Sequence, residues 1–227
     1  MVEELKKDFG YYKGFKLKYI TQPKYRHLLM ILFWPFYLIT FFTIEHLALK
    51  DYHVIHCALD DIIPFNEYFI TPYVIWYPFW ICMLFYTVFF EVETFKKTMR
   101  YFILTFSISL CIYALWHTGH NMWPTSFPRD NFCIWLVKRI YAADCNTNIC
   151  PSDHVIGAFA VVFAAKDSKR LSNRTAMTVI ITIAILICYS ICFTKQHSAL
   201  DILGAAPVVL LGYYVCFFRK KGNRDDL

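Results

Sequence analysis

The stretch YFITPYVIWYPFWICMLFYTVFF, residues 68–90, decides the fold class. It contains no Asp, Glu, Lys, Arg or His. About 20 apolar residues suffice to cross the hydrocarbon of a bilayer, so a run this long without a charge reads as a transmembrane helix. The rest of the chain follows the same pattern. Of its 227 residues 58% are hydrophobic and 19% aromatic, where an ordinary soluble domain holds about 45–50% apolar residues. The excess is gathered into runs at roughly 29–49, 68–90, 100–118, 153–166, 175–194 and 198–218. These runs are continuous rather than alternating, which argues against a membrane β-barrel. The expected fold is all-α: a polytopic membrane protein with a six-transmembrane helix bundle. The fourth run is short and is expected to lean on its neighbours. Pro35, Pro72, Pro78 and Pro207 fall inside runs, which membrane helices tolerate when neighbours satisfy the freed carbonyls.

Basic residues orient the bundle. Lys6, Lys7, Lys13, Lys16, Lys18, Lys24 and Arg26 precede the first run. Lys96, Lys97 and Arg100 follow the second, Lys166, Lys169, Arg170 and Arg174 follow the fourth, and Arg219, Lys220, Lys221 and Arg224 follow the sixth. With six spans all of these share one side. The other side holds Arg129, Lys138, Arg139 and Lys195, with Lys50 at a boundary. Both termini are therefore expected in the cytoplasm. Segment 1–28 reads as a basic cytoplasmic extension, 29–218 as one membrane domain and 219–227 as a basic tail. The first 27 residues contain no hydrophobic core with a small-residue cleavage site, so the first span is expected to act as its own insertion signal. The net charge of +6 is explained by topology and by anionic lipid head groups, not by nucleic acid.

Nine cysteines are present. Those in or beside the runs read as small apolar packers, and no Cys-x-x-Cys pair suggests a zinc site. Cys145 and Cys150 fall on the outer side, where a disulfide is permitted.

Polar residues collect on that outer side. The loop between the third and fourth runs carries WPTSFPRDNF (123–132) and KRIYAADCNTNICPSDHV (138–155), and the short loop after the fifth carries TKQHSALD (194–201). His197 and Asp201 are four residues apart and share a helix face. A carboxylate on one ring nitrogen fixes the tautomer and raises the basicity of the other, as a nucleophilic imidazole requires. The plainer alternative is an interfacial His with an Asp stabilised by the helix dipole. In CPSDHV (150–155), Pro151 suits a first helical turn, and Ser152 lies beside unpaired N–H groups that can bind an anion. The alternative there is a capping segment with Ser152 and Asp153 as good cap residues. His154 is placed to donate a proton to a leaving group. Arg129 and Lys195 are cations on the side that disfavours them, or else ordinary loop charges. Asp144 and Asn148 are possible supporting residues. His117 and His120 make two metal-type ligands without a third.

These motifs resemble the type-2 phosphatidic-acid phosphatase superfamily, in its membrane-bound, bacterial-like branch, with similarity to sphingolipid head-group synthases. The second family motif, P-S-G-H, is matched by PSDH (151–154), and the third, S-R-x-x-x-x-x-H-x-x-x-D, by SICFTKQHSALD (190–201). LDDIIPFNEYFITPYVIWYPFW (59–80) is similar as well. The resemblance implies a six-span fold with an extracytoplasmic site. It implies His197 as the nucleophile that becomes a phosphohistidine, Asp201 as its orienting acid and His154 as the general acid. It implies that Ser152 and the Asp153 N–H hold phosphate oxygens, and that Arg129 is the Arg of the first motif, K-x-x-x-x-x-x-R-P. The sequence departs from the family at Met122, Asp130, Ile191 and Asp153, where Lys, Pro, Arg and Gly are expected; Lys195 stands as a replacement cation. Two cations fewer and one anion more point toward a diester-like head group.

The activity implied is that of an integral-membrane lipid phosphatase in the cell membrane, with the bilayer and a phospholipid such as phosphatidic acid as partner and substrate and with no metal or cofactor. Head-group phosphotransfer is the alternative within enzymes. A non-catalytic transporter or interaction protein is the alternative outside them, although transporters place polar residues near the midplane. A hydrolase using Ser152 lacks the G-x-S-x-G context.

Overall fold

A computed structural model describes residues 10–48 and 51–218. The first nine residues, the basic tail 219–227 and Lys50 lie outside the described residues. The helices are α1 (Phe33–Ala48), α2 (Ala58–Ile62), α3 (Ile70–Phe90), α4 (Val92–Leu115), α5 (Phe132–Ala143), α6 (Asp153–Asp167), α7 (Arg174–Phe193) and α8 (Ala199–Tyr213), with a 3-10 segment at Arg26–Leu32 leading into α1 and a π turn at Tyr214–Phe218 closing α8. Two short strands, β1 (His53–Val54) and β2 (Thr118–Gly119), pair in parallel, and Gly119 also bridges Thr147. They tie together three loops at one end of the bundle.

Five helical stretches are long and apolar enough to cross a membrane: Arg26–Leu47, Glu67–Phe90, Val92–Leu115, Arg174–Phe193 and Ala199–Phe218. This is consistent with an integral membrane protein. Five long spans stand where six were expected; the fourth run forms the short helix α6, whose 15 residues rise only about 22 Å. Its sequence DHVIGAFAVVFAAKD explains its place. Val155, Ile156, Gly157, Ala158, Ala160, Val161, Ala164 and Ala165 are all buried, and α3, α4, α7 and α8 surround the helix. An apolar helix without a polar face belongs in an interior, and small residues let neighbouring backbones close in around it.

Gly157 shows how close. A Cβ there would stand 2.8 Å from Nε1 of Trp76 and 3.0 Å from its Cζ2. Gly157→Val is therefore expected to cost roughly 1–3 kcal/mol, the usual price of forcing carbon into a filled core. A lowered melting temperature in detergent checks this; an unchanged one refutes the contact.

Two boundaries differ from expectation. The third span starts at Val92, not near residue 100, because its charges are carried on helical turns: Lys96 pairs with Glu93 at 2.6 Å and Lys97 with Asp167 at 2.5 Å. The segment expected as a long outer loop contains α5, started by the Asn131 side chain accepting the Ile134 N–H at 2.9 Å.

The two ends of the bundle differ in chemistry. At one, Glu91 accepts from Tyr86, Ser168 and the Lys169 N–H, Thr94 and Lys97 hold Asp167, and Tyr12 donates to the Val88 carbonyl at 2.8 Å. The other end gathers the β pair, the 144–152 loop and the turn between α7 and α8. Helix α6 joins them: Asp167 lies at the first, while at the second the Ser152 N–H donates to the Asp201 carbonyl at 3.3 Å.

Candidate active site

The α7–α8 turn is built by backbone bonds. The N–H groups of Gln196 and His197 both donate to the Ile191 carbonyl, at 2.9 and 3.0 Å, and Lys195 adopts a left-handed φ of 56°. Ser198 caps α8, and Asp201 closes the capping box by accepting the Ser198 N–H at 2.9 Å. The same Asp201 Oδ2 lies 3.2 Å from Nδ1 of His197, and the Ile149 carbonyl lies 3.0 Å from that nitrogen. A carbonyl and a carboxylate only accept, so Nδ1 carries a hydrogen, and the neutral tautomer that these bonds select has its lone pair on Nε2. Asp201, read from the sequence as either a dipole-stabilised acid at the helix start or the acid that orients His197, both closes the cap of α8 and bonds His197.

His154 stands opposite, with ring centroids 5.6 Å apart. It is sandwiched by Tyr73 at 4.5 Å and Trp76 at 4.4 Å, and its Nε2 has no hydrogen-bond partner. Ser152 precedes α6 as its N-cap residue but makes no side-chain cap bond; its Oγ is buried and unpartnered. Capping therefore does not account for this hydroxyl. Asp153, expected to offer its N–H to phosphate, also buries its carboxylate: it is 8% exposed and accepts from the Tyr37 hydroxyl at 2.5 Å.

His154, His197, Asp153, Asp144 and Asn148 line one cavity of about 220 Å³. Asp144 accepts from its neighbour's N–H at Cys145 and from Tyr73, and burial raises its pKa above the ordinary carboxylate value. Asn148 is held at a φ of 56° with both amide atoms unpartnered. Buried polar atoms without partners are costly, and those of Asn148, Asp153 and His154 lie around this one cavity.

The two expected cations are not brought there. Arg129 forms a two-pronged ion pair with the buried Glu67, at 2.5 and 2.9 Å, and lies over the Tyr68 ring. The ammonium of Lys195 donates to the carbonyls of Asp60 and Ile63, at 2.6 and 2.5 Å, and lines a separate outer groove. Each is spent on holding a loop, so neither lines the His197 cavity. The cysteines of the outer loop are free thiols. Burial leads in raising the pKa of Cys145 to about 11 and of Cys150 to about 12, which keeps both protonated near neutrality.

Sequence reading missed several residues that shape the site. Asp60 accepts from the Ser198 hydroxyl, the Ala199 N–H and the Cys57 N–H; its only signal was an acid in an outer loop beside apolar runs. Tyr37, Trp76 and Tyr113 sit inside apolar runs and carried no signal of their own. His120, which the sequence offered with His117 as a metal-type pair, is fully buried; burial first, and the nearby His197 second, lower its pKa to about 3, so it stays neutral.

Comparison of the chain with protein-family models, with curated proteins and with solved structures finds no match in any of the three.

Proposed function

We propose that this chain is an integral-membrane phosphoester-processing enzyme, a lipid phosphatase working through a phosphohistidine. One observation carries the proposal: His197, with Nδ1–H committed to Asp201 and Ile149, faces His154, whose Nε2 has no hydrogen-bond partner, across one cavity. Nε2 of His197 attacks phosphorus, the P–O bond to the lipid alcohol breaks, and His154 passes its proton to the leaving oxygen. His154 then takes a proton from water as that water's oxygen attacks phosphorus, the P–N bond breaks and His197 is restored. Phosphoryl transfer depends mainly on such positioning.

Six crossings with both termini cytoplasmic is the topology we infer, α6 counting as the sixth. Support comes from α6 reaching both ends of the bundle and from the Lys- and Arg-rich segments at the end away from His197. The cell membrane is the location, with the site in the outer leaflet. Leu38 and Phe42 line the cavity while remaining about half exposed on α1, which suits lipid entering sideways from the bilayer.

A second reading, transfer of the head group to an alcohol, uses the same intermediate. The test is a product screen on the purified full-length protein with phospholipids, with and without an added alcohol. Release of the lipid alcohol, an acid-labile phosphoryl group on His197 and inhibition by vanadate are expected. A transferred head group in place of the water product selects the second reading. No labelled His197 and no vanadate effect under turnover would refute the phosphohistidine.

A further inference from the structure

Among the described residues, no Lys or Arg lines the cavity that holds His154 and His197. Its carboxylates are Asp144 and Asp153, and its walls include the rings of Tyr37, Phe41, Phe42, Trp76, Tyr77 and Tyr113. A phosphate monoester carries close to two negative charges at neutral pH. Placed here, it would meet two carboxylates and no fixed cation to offset them.

Asp153 sharpens the mismatch. It is more than nine-tenths buried, lies next to His154 in sequence and lines the same cavity. Its Oδ2 is bonded to Tyr37. The Ser109 and Tyr113 hydroxyls face the same carboxylate, yet its Oδ1 meets no donor in hydrogen-bonding geometry. A carboxylate inside a membrane bundle is costly without a cation, and the lining residues supply none. Electron-rich ring faces beside a carboxylate are the usual recognition chemistry for an ammonium group, quaternary ammonium above all.

We propose that the substrate is a zwitterionic phospholipid whose ammonium is read by Asp153, with Asp144 and the aromatic wall, while its phosphodiester meets His197 and His154. The proposal rests on the phosphohistidine reading and names its substrate class. A choline or ethanolamine ester places its nitrogen two carbons beyond the ester oxygen, so one ligand presents an anion to the imidazoles and a cation to the carboxylate. The half-exposed Leu38 and Phe42 at the cavity wall favour a membrane lipid over a soluble ester. In the reaction, the P–O bond to diacylglycerol breaks as the His197 P–N bond forms. The diacylglycerol oxygen takes the proton of His154, and water then releases the phospho-ammonium ester.

The test uses the full-length protein in lipid nanodiscs with four substrates of equal acyl chains: phosphatidylcholine, phosphatidylethanolamine, phosphatidylglycerol and phosphatidic acid. Phosphatidylglycerol is a diester without a cation and separates ammonium recognition from a mere diester preference. A kcat/KM for at least one zwitterionic lipid about ten-fold or more above the other two is expected, within reach of one carboxylate and several rings. Asp153→Asn is expected to bring that ratio to within about three-fold of unity, the change a lost charge contact of this size produces. Equal or faster turnover of phosphatidylglycerol or phosphatidic acid by the wild type overturns the proposal without recourse to a variant. So does a ratio that survives in a folded Asp153→Asn protein.

A binding arm uses the His197→Asn protein with phosphocholine, phosphoethanolamine and glycerol 3-phosphate, read by tryptophan fluorescence. Ammonium-selective binding without turnover of any phospholipid by the wild type leaves an ammonium site at Asp153 but overturns both the zwitterionic substrate and the phosphohistidine reading. Turnover without ammonium selectivity overturns the zwitterionic substrate and leaves the phosphohistidine reading standing. Cleavage of the soluble esters but not of the lipids overturns the membrane source.

Discussion

Replacing His197 is expected to abolish turnover while leaving the fold standing. The ring is 9% exposed, and its only described polar bonds run from Nδ1 to Ile149 and Asp201. His197→Asn keeps an N–H donor near the position of Nδ1, so neither acceptor is left unpaired, but it removes the Nε2 nucleophile. Under the proposed mechanism the rate falls by about four to six orders of magnitude, the range seen when a covalent nucleophile is removed and only positioning remains. The stability change should stay near 1 kcal/mol, the scale of one altered hydrogen bond. Steady-state rates and thermal melting of the same preparation check both halves. Retained turnover in a folded His197→Asn protein would remove His197 from the chemistry.

Asp60→Asn is expected to be the most damaging substitution outside the cavity. Asp60 Oδ2 accepts from the Ser198 hydroxyl at 2.5 Å and the Cys57 N–H at 2.9 Å, and Oδ1 accepts from the Ala199 N–H at 2.8 Å. Its backbone carbonyl also holds Lys195. One residue thus clamps the turn that aims His197, from more than a hundred residues away in sequence. An amide turns one of the two oxygens into a donor facing donors, which should cost about 2–3 kcal/mol for bonds to a charged acceptor. Under the proposed mechanism, turnover should drop in kcat more than in KM, because His197 is misplaced while the cavity persists.

The pH dependence follows from the same bonds. Burial pushes the Asp60 pKa up, but the bonds from Ser198, Ala199 and Cys57 outweigh it and leave the pKa below the ordinary carboxylate value. A folded pKa below the unfolded one contributes stability above about pH 4, lost as pH falls through the folded pKa. The melting difference between wild type and Asp60→Asn should therefore be full at pH 7 and shrink below about pH 4. An equal melting temperature at pH 7 would show that Asp60 holds nothing.

Helix class, the apolar runs and the pairing of His197 with Asp201 were legible because they rest on local rules. A run such as 68–90 has one solution in a bilayer, and a four-residue spacing puts two side chains on one helix face wherever that helix goes. The amino-terminal turn of α6 was legible as a place but not as a function, since a capping Ser and an anion-binding Ser have the same sequence. Only the folded chain, in which the Ser152 Oγ makes no cap bond, removes the capping role. The start of α4 was misplaced because Lys96 and Lys97 look like loop charges until Glu93 and Asp167 are seen beside them.

The amino-acid sequence by itself determined a helical membrane chain, the side on which its polar residues gather and the two histidines worth watching. Tertiary structure decided which charges reach them. Arg129 and Lys195 are outer-side cations in the sequence, yet Glu67 takes one and the Asp60 and Ile63 carbonyls take the other. Asp153 is an acid beside His154 in the sequence, and only packing shows its carboxylate turned inward against Tyr37. The physical reason is that a charge interacts across space, over a few ångströms, with groups that the chain brings together from distances its sequence does not record.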